Sequence, residues 1–109
     1  MDVKSLEKMI ETGRDSAMLR LALAGVYQQQ GNLRSALEHL QSAVQQDPDY
    51  TAAWKALGRV QLDLADTDSA RSAWQQGITV AGKRGDKQAQ KEMQVFLKRL
   101  DKAAIPGQK

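Results

Sequence analysis

Apolar residues recur along this chain in six stretches, each with the spacing of one face of a helix. Val3, Leu6, Met9 and Ile10 mark a short first helix over about residues 3–13, which Gly13 is placed to end through a left-handed turn. Asp15 or Ser16 caps a second helix running to about Gln30. That helix is apolar almost all round (Met18, Leu19, Leu21, Ala22, Leu23, Val26, Tyr27), the pattern of an element buried between neighbours. Gly31 closes it and Asn32 caps a third helix, about 33–46, with Leu33, Ala36, Leu37, Leu40, Ala43 and Val44 on one face. Arg34, Glu38, Gln41 and Gln45 occupy its wet face, and Pro48 ends it. Asp49 is placed to cap a fourth helix, about 50–64, which aligns Tyr50, Ala53, Trp54, Leu57, Val60 and Leu64. Asp66 caps a fifth, about 67–81, with Ala70, Ala73, Trp74, Gly77 and Ile78 inward. The stretch Gly82–Asp86 reads as a loop, and a sixth helix, about 87–102, carries Ala89, Met93, Phe96, Leu97 and Leu100. Leu23, Tyr27, Leu40, Trp54, Leu57 and Trp74 are expected to be largely buried, and the tail from Pro106 to be disordered.

A shift of 34 residues superposes much of this pattern on itself. Asp15 falls on Asp49, Leu23 on Leu57, Ala24 on Gly58, Val26 on Val60, Ala36 on Ala70 and Val44 on Ile78. Trp54, Leu57, Gly58, Ala70 and Trp74 in one copy, and Leu23, Ala24, Tyr27, Ala36, Leu40, Ala43 and Pro48 in the other, resemble the tetratricopeptide repeat. That repeat is a 34-residue helix–turn–helix with the pattern W-x2-L-G-x2-Y, A-x3-F, P. Departures are Arg20 for tryptophan, Gln61 for tyrosine, Gly77 for alanine and Gly82 for the closing proline; the last two are expected to loosen the second copy's end. The organisation that follows is a single domain over 1–102, comprising an N-terminal half-repeat helix (1–14), repeats at 15–48 and 49–82, and a capping helix (86–102). A disordered tail spans 103–109. The last helix matches helix four only if two residues are inserted near Gly82–Asp86. The fold implied is an all-α, right-handed helix–turn–helix solenoid of about six helices without a sheet, like the small stand-alone repeat proteins of bacteria.

The resemblance implies a protein–protein interaction module, an adaptor or co-chaperone-like subunit, whose first helix of each pair lines a concave groove. Here the groove-lining set is Met18, Leu21, Gly25 and Gln28, then Ala52, Lys55, Arg59 and Leu62, then Gln88, Lys91, Val95 and Lys98. Lys55 and Arg59 share a helix face. A half-apolar, half-cationic groove suits a peptide or protein partner carrying acids. Some relatives clamp a C-terminal carboxylate; Lys55 fits one such place but Leu21, Gly25 and Ala56 do not. The alternative is a self-associating module, a homodimer through the groove or the terminal helix.

Composition and charge narrow the remaining classes. The net charge of +3 is unevenly spread, with 8 basic and 3 acidic side chains over 83–109 against 8 and 10 before. No aromatic residues interleave with those cations to stack on bases, so a solvated terminal helix is preferred to nucleic-acid binding. There is no cysteine, which excludes disulfides and thiolate metal sites and fits a reducing cytoplasm. The longest apolar run, Leu21 to Val26, is too short for a bilayer, and residues 1–16 lack a hydrophobic signal core. The single histidine, His39, reads as a solvated residue beside Glu38 on the outer face of helix three. Asp63, Asp66 and Asp68 lack the glycine and distal glutamate of a calcium loop and read as caps. The serines lie at helix starts or outer faces with no base beside them. Neither catalysis, a metal site nor a cofactor is expected.

Overall fold

Helix starts and stops repeat with the sequence. In a computed structural model that describes residues 2–103, six α-helices follow one another: α1 (Val3–Glu11), α2 (Ala17–Gln29), α3 (Leu33–Gln46), α4 (Thr51–Asp63), α5 (Thr67–Arg84) and α6 (Lys87–Ala103). No strand occurs among the described residues. Residues 104–109, with most of the expected disordered tail, lie outside the described residues. The side chains of Asp2, Ser16, Asn32 and Asp66 each accept a hydrogen bond from a backbone N–H three residues on, satisfying one of the free donors at a helix start. Asn32 and Asp66 are equivalent positions of the two repeats, and so are their donors Ser35 and Ser69.

Of the two candidates for the start of α2, Ser16 is the cap, and Asp15 instead holds Arg20. Asp49 caps nothing: α4 begins after Tyr50, which makes no side-chain cap, and the Asp49 N–H instead donates to the Asp47 carboxylate. The turn is held by Trp54, whose indole N–H donates to the Pro48 carbonyl at 2.8 Å.

The end of α5 also departs from the pattern. Gly82 stays helical, and α5 continues one turn further to Arg84 before Gly85 takes the left-handed conformation that stops it. The two extra residues anticipated between the fifth and sixth helices are thus absorbed by helix rather than by loop. Lys83 and Arg84 in that last turn suit the negative end of the helix dipole. Gly77 does not loosen the packing. A Cβ there would meet the Met93 sulfur at 2.5 Å and Trp54 Cβ at 3.0 Å, so its missing side chain is what lets α6 and α4 close on α5.

Each helix packs on the next along the chain, and α2, α4 and α6 also touch one another in sequence; α1, α3 and α5 do not. The hairpins are therefore stacked with one layer close together and the other splayed, in a body 53 × 31 × 19 Å. The apolar residues form three clusters along its length. The first joins Leu6 of α1 to Leu19 and Leu23 of α2. The second joins Leu40, Ala43 and Val44 of α3 to Ala53, Leu57 and Val60 of α4. The third joins Ala70, Trp74 and Ala81 of α5 to Met93 and Leu100 of α6. Leu23, Leu40, Leu57 and Trp74 are buried as expected, but Tyr27 and Trp54 are only half-buried. Both lie at the mouths of the seams between the splayed helices.

Candidate interaction surface

The close layer of α2, α4 and α6 forms the inner face, and its shape is set where α4 meets α6. Trp74 of α5 is the floor. Its indole N–H donates to the Lys55 carbonyl at 3.1 Å, and it lies so close to α4 that a Cβ at Gly58 would stand 2.3 Å from Nε1. Phe96 of α6 packs on it with ring centroids 5.1 Å apart. Over both rings lies the Arg59 guanidinium, 5.9 Å from the Trp74 centroid and 5.4 Å from that of Phe96. A cation held against two ring faces is attracted by their quadrupoles. Arg59 is exposed and takes part in no ion pair among the described residues.

Beside this stack a recess of about 340 Å³ is lined by Ala52, Lys55, Ala56, Arg59 and Phe96. A second, of about 240 Å³, continues past Arg59 to Leu62, Leu100 and Arg99. A third, of about 310 Å³, opens at the other end around Thr51, Gln88 and Glu92. Lys55 lines both the first recess and the third. Its ammonium is bound to Glu92 of α6 at 2.7 Å, with both side chains partly exposed, so its charge is matched rather than free.

The structure brings together only part of the set read from sequence. Lys55 and Arg59 line one recess with Phe96, and Leu62 and Gln88 line its neighbours. Lys91, Val95 and Lys98 are exposed on α6 but line none of these recesses. The α6 residues that do, among them Gln88, Ala89, Glu92, Phe96 and Arg99, sit on the flank turned to α4; at 100° per residue Lys91 and Lys98 lie further round the helix, and Val95 lies at the edge of that flank. Met18 is 72% exposed, while Leu21 and Gln28 are half-buried on α2, with Leu21 packed on the second apolar cluster. Sequence reading missed Arg99, Glu92 and the aromatic pair Phe96–Trp74. Periodicity places Phe96 inward; its lying within reach of Arg59 depends on how α6 seats against α4.

His39 is not a solvated surface residue. It is half-buried, its ring stacks on Tyr27 with centroids 5.6 Å apart and planes 6° from parallel, and its Nδ1 faces an Arg20 N–H at 3.1 Å. Arg20 in turn grips Asp15 through two hydrogen bonds of 2.8 Å, and Gln46 donates to the same carboxylate. The Tyr27 hydroxyl donates to Glu7 of α1 at 2.6 Å. Burial, helped by the Arg20 charge, lowers the His39 pKa from its usual value, so the ring is a neutral acceptor toward Arg20. The hydrogen bonds from Arg20 hold the Asp15 carboxyl down at about 2. The Glu7 contact raises the Tyr27 hydroxyl. The network is structural, tying α1, α2 and α3 together. No group of three or more residues able to hold a metal ion occurs among the described residues.

A stack of helix–turn–helix units with small residues at each crossing, and an inner face left open, is the architecture of a helical repeat protein. The profile of the tetratricopeptide repeat family matches residues 28–78. Over 103 residues the chain is 48% identical to a TPR repeat-containing protein of Pseudomonas aeruginosa, covering 94% of this chain and 98% of that protein. The chain belongs to the tetratricopeptide repeat family. Its structure superposes on that of a protein from Bordetella parapertussis with a TM-score of 0.80 and 40% identity, covering 94% of this chain and 90% of the other. It is also 29% identical over 80 residues to the heat-shock protein cognate co-chaperone sgt12 of Aspergillus fumigatus, matching 73% of this chain but 24% of that protein. The family is generally a non-catalytic protein-interaction fold. No helix among the described residues is long and apolar enough to cross a membrane.

Proposed function

We propose that the chain is a non-catalytic adaptor that binds an extended acidic segment of a partner protein along its inner face. The observation that carries this reading is the Arg59 guanidinium, exposed, without an ion pair among the described residues, and held over Trp74 and Phe96 beside an apolar recess. The two ring contacts favour one seat for it before binding, which lowers the side-chain entropy lost when it takes a carboxylate bidentately. An apolar side chain of the same segment fits the recess between Ala56 and Phe96. Arg99, on the adjoining recess, extends the cationic track. Lys55 contributes only if the incoming carboxylate displaces Glu92. Of the groove set read from sequence, Lys55 and Arg59 form the centre of this surface. Met18, Leu21 and Gln28 are assigned to its α2 end, and Lys91, Val95 and Lys98 to its outer rim. Exposed ion pairs contribute about 0–1 kcal/mol each, so the apolar recess sets the specificity. Affinity near micromolar, about −8 kcal/mol, is expected.

Selection from a displayed random-peptide library provides the test. Selected peptides should carry acidic residues flanking an apolar or aromatic one. Their binding should be lost in Arg59→Glu while the melting temperature stays close to that of the parent. Enrichment of basic peptides, or binding indifferent to Arg59→Glu, overturns the reading.

A further inference from the structure

The two repeats offer an internal comparison on the opposite, splayed face of the molecule. In the seam between α1 and α3, Tyr27 and His39 stack on each other, Glu7 of α1 takes the Tyr27 hydroxyl, and Arg20 donates to the imidazole. The chain fills that seam with its own side chains. Thirty-four residues on, the equivalent positions carry Gln61 in place of Tyr27, Ala73 in place of His39 and Trp54 in place of Arg20. Two rings are gone and no side chain of α3 enters. A recess of about 330 Å³ is left, lined only by α4 and α5.

Its chemistry is specific. One wall is the half-buried indole of Trp54, pinned by its hydrogen bond to the Pro48 carbonyl. Gln61 lines it with 9% of its surface exposed, and the Oε1 of that carboxamide has no hydrogen-bond partner among the described residues. Rotation about the last side-chain torsion, which is broad and soft for Gln, turns this acceptor to an incoming donor. Gln76, Ser69 and Ser72 add further acceptors, and Asp68 is the one charged residue of the lining. Asp68 is almost wholly exposed and holds only the long 3.4 Å contact to Arg71, whose shorter bonds go to Asp101.

We propose that this recess is a second binding site, on the outer face, for an arginine side chain of a partner protein. A guanidinium is planar, lies flat on an indole and presents a fork of donors to carboxamide and carboxylate oxygens. A lysine ammonium is compact and strongly hydrated, and does not fill a flat slot against Trp54. An acidic side chain meets Asp68 and no cation in the lining. The site is separate from the inner face and stands whether or not the acidic-segment reading does.

The experiment is a titration of the full ¹⁵N-labelled chain with N-acetyl-arginine amide, followed by NMR. N-acetyl-lysine amide and N-acetyl-glutamate amide serve as comparison probes. The expected result is a saturable shift of the Trp54 indole N–H and the Gln61 side-chain amide with the arginine probe alone, in the millimolar range. The Trp74 indole N–H, buried against the Lys55 carbonyl, should stay in place. The double change Gln61→Tyr with Ala73→His copies the first seam and should abolish the response. Ala73→Leu gives a milder plug should the double variant lose its fold. The proposal is overturned by no saturable shift at these signals, by an equal response to lysine or glutamate probes, or by a response that survives the plug.

Discussion

At the scale of single residues, the two repeats close the same helix crossing with different pairs of side chains. The first pairs Ala24 with Leu40; the second pairs Gly58 with Trp74, because the indole occupies the space a Cβ at Gly58 would need. Gly58→Ala is therefore expected to destabilise by about 1–3 kcal/mol, the range for overpacking a filled core. Adding Trp74→Leu restores the first repeat's pair and should recover part of the loss. Urea unfolding of the two single variants and the double gives the coupling directly, and additive losses would contradict the pairing. The turns make a similar comparison. Gly31 and Ala65 are equivalent and both have positive φ, 77° and 65°, each with the next N–H returning to the last turn of its helix. For alanine this conformation is strained, so Ala65→Gly should raise stability by about 1 kcal/mol. An unchanged or lower urea midpoint would show the strain to be absent. Such pairings were half-legible: the 34-residue repeat singles out Gly58 and periodicity places Trp74 inward, but their closeness is a matter of helix separation, which no spacing encodes.

At the scale of elements, α1 is attached by a polar network as well as by Leu6. Its centre is His39, set against Arg20 of α2 and the carboxylates Glu7, Glu38 and Asp15. The folded imidazole takes a proton less readily than the unfolded one, whose pKa is near 6.5. As pH falls through that value the unfolded chain binds the proton first, so stability present above it is lost on acidification. Asp15 acts lower: its contribution is intact above 3.8 and is lost as pH drops toward about 2. Thermal melts from pH 7.5 to 5 should therefore fall in the parent and fall less in His39→Gln. A parallel decline in both would place the acid sensitivity elsewhere. Six helices and most of their starts were readable from apolar spacing and capping residues. The end of α5 was not, because Gly82 carries the same sequence signal whether it stops a helix or leaves room for Gln90 of the next one, whose amide nitrogen would stand 3.0 Å from a Cβ there. His39 departs from its expected solvated place for a related reason: its outward phase on α3 is real, but Tyr27 and Arg20 of α2, its own hairpin partner, cover it.

At the scale of the whole molecule, three clusters in a row take the place of one core, and the last is closed only by α6. Removing residues 86–109 exposes Trp74, Ala81 and Ile78, which now face Met93, Phe96 and Leu100. The truncated chain should aggregate or lose its cooperative transition, as unprotected ends of repeat arrays do. A monomeric fragment with the parent's unfolding profile would make α6 an appendage. The family and the inner face were legible because the repeat pattern names the helices that line it. The Arg59–Phe96–Trp74 stack was not, since it joins residues of three helices whose relative seating is a tertiary fact.

The contact of α2 with α4 and of α4 with α6, without any counterpart among α1, α3 and α5, makes the array stiff along one edge and loose along the other. Such a body bends like a leaf spring: the close edge fixes the length and the splayed edge sets the curvature. The first seam, bolted by Tyr27, His39 and Glu7, resists opening, whereas the second has no bolt. Flexure should concentrate at the joint between the two repeats. Distance distributions between spin labels on exposed Gln41 and Gln75 should be broader than between labels on Lys8 and Gln41, and equal widths would show a uniformly rigid rod.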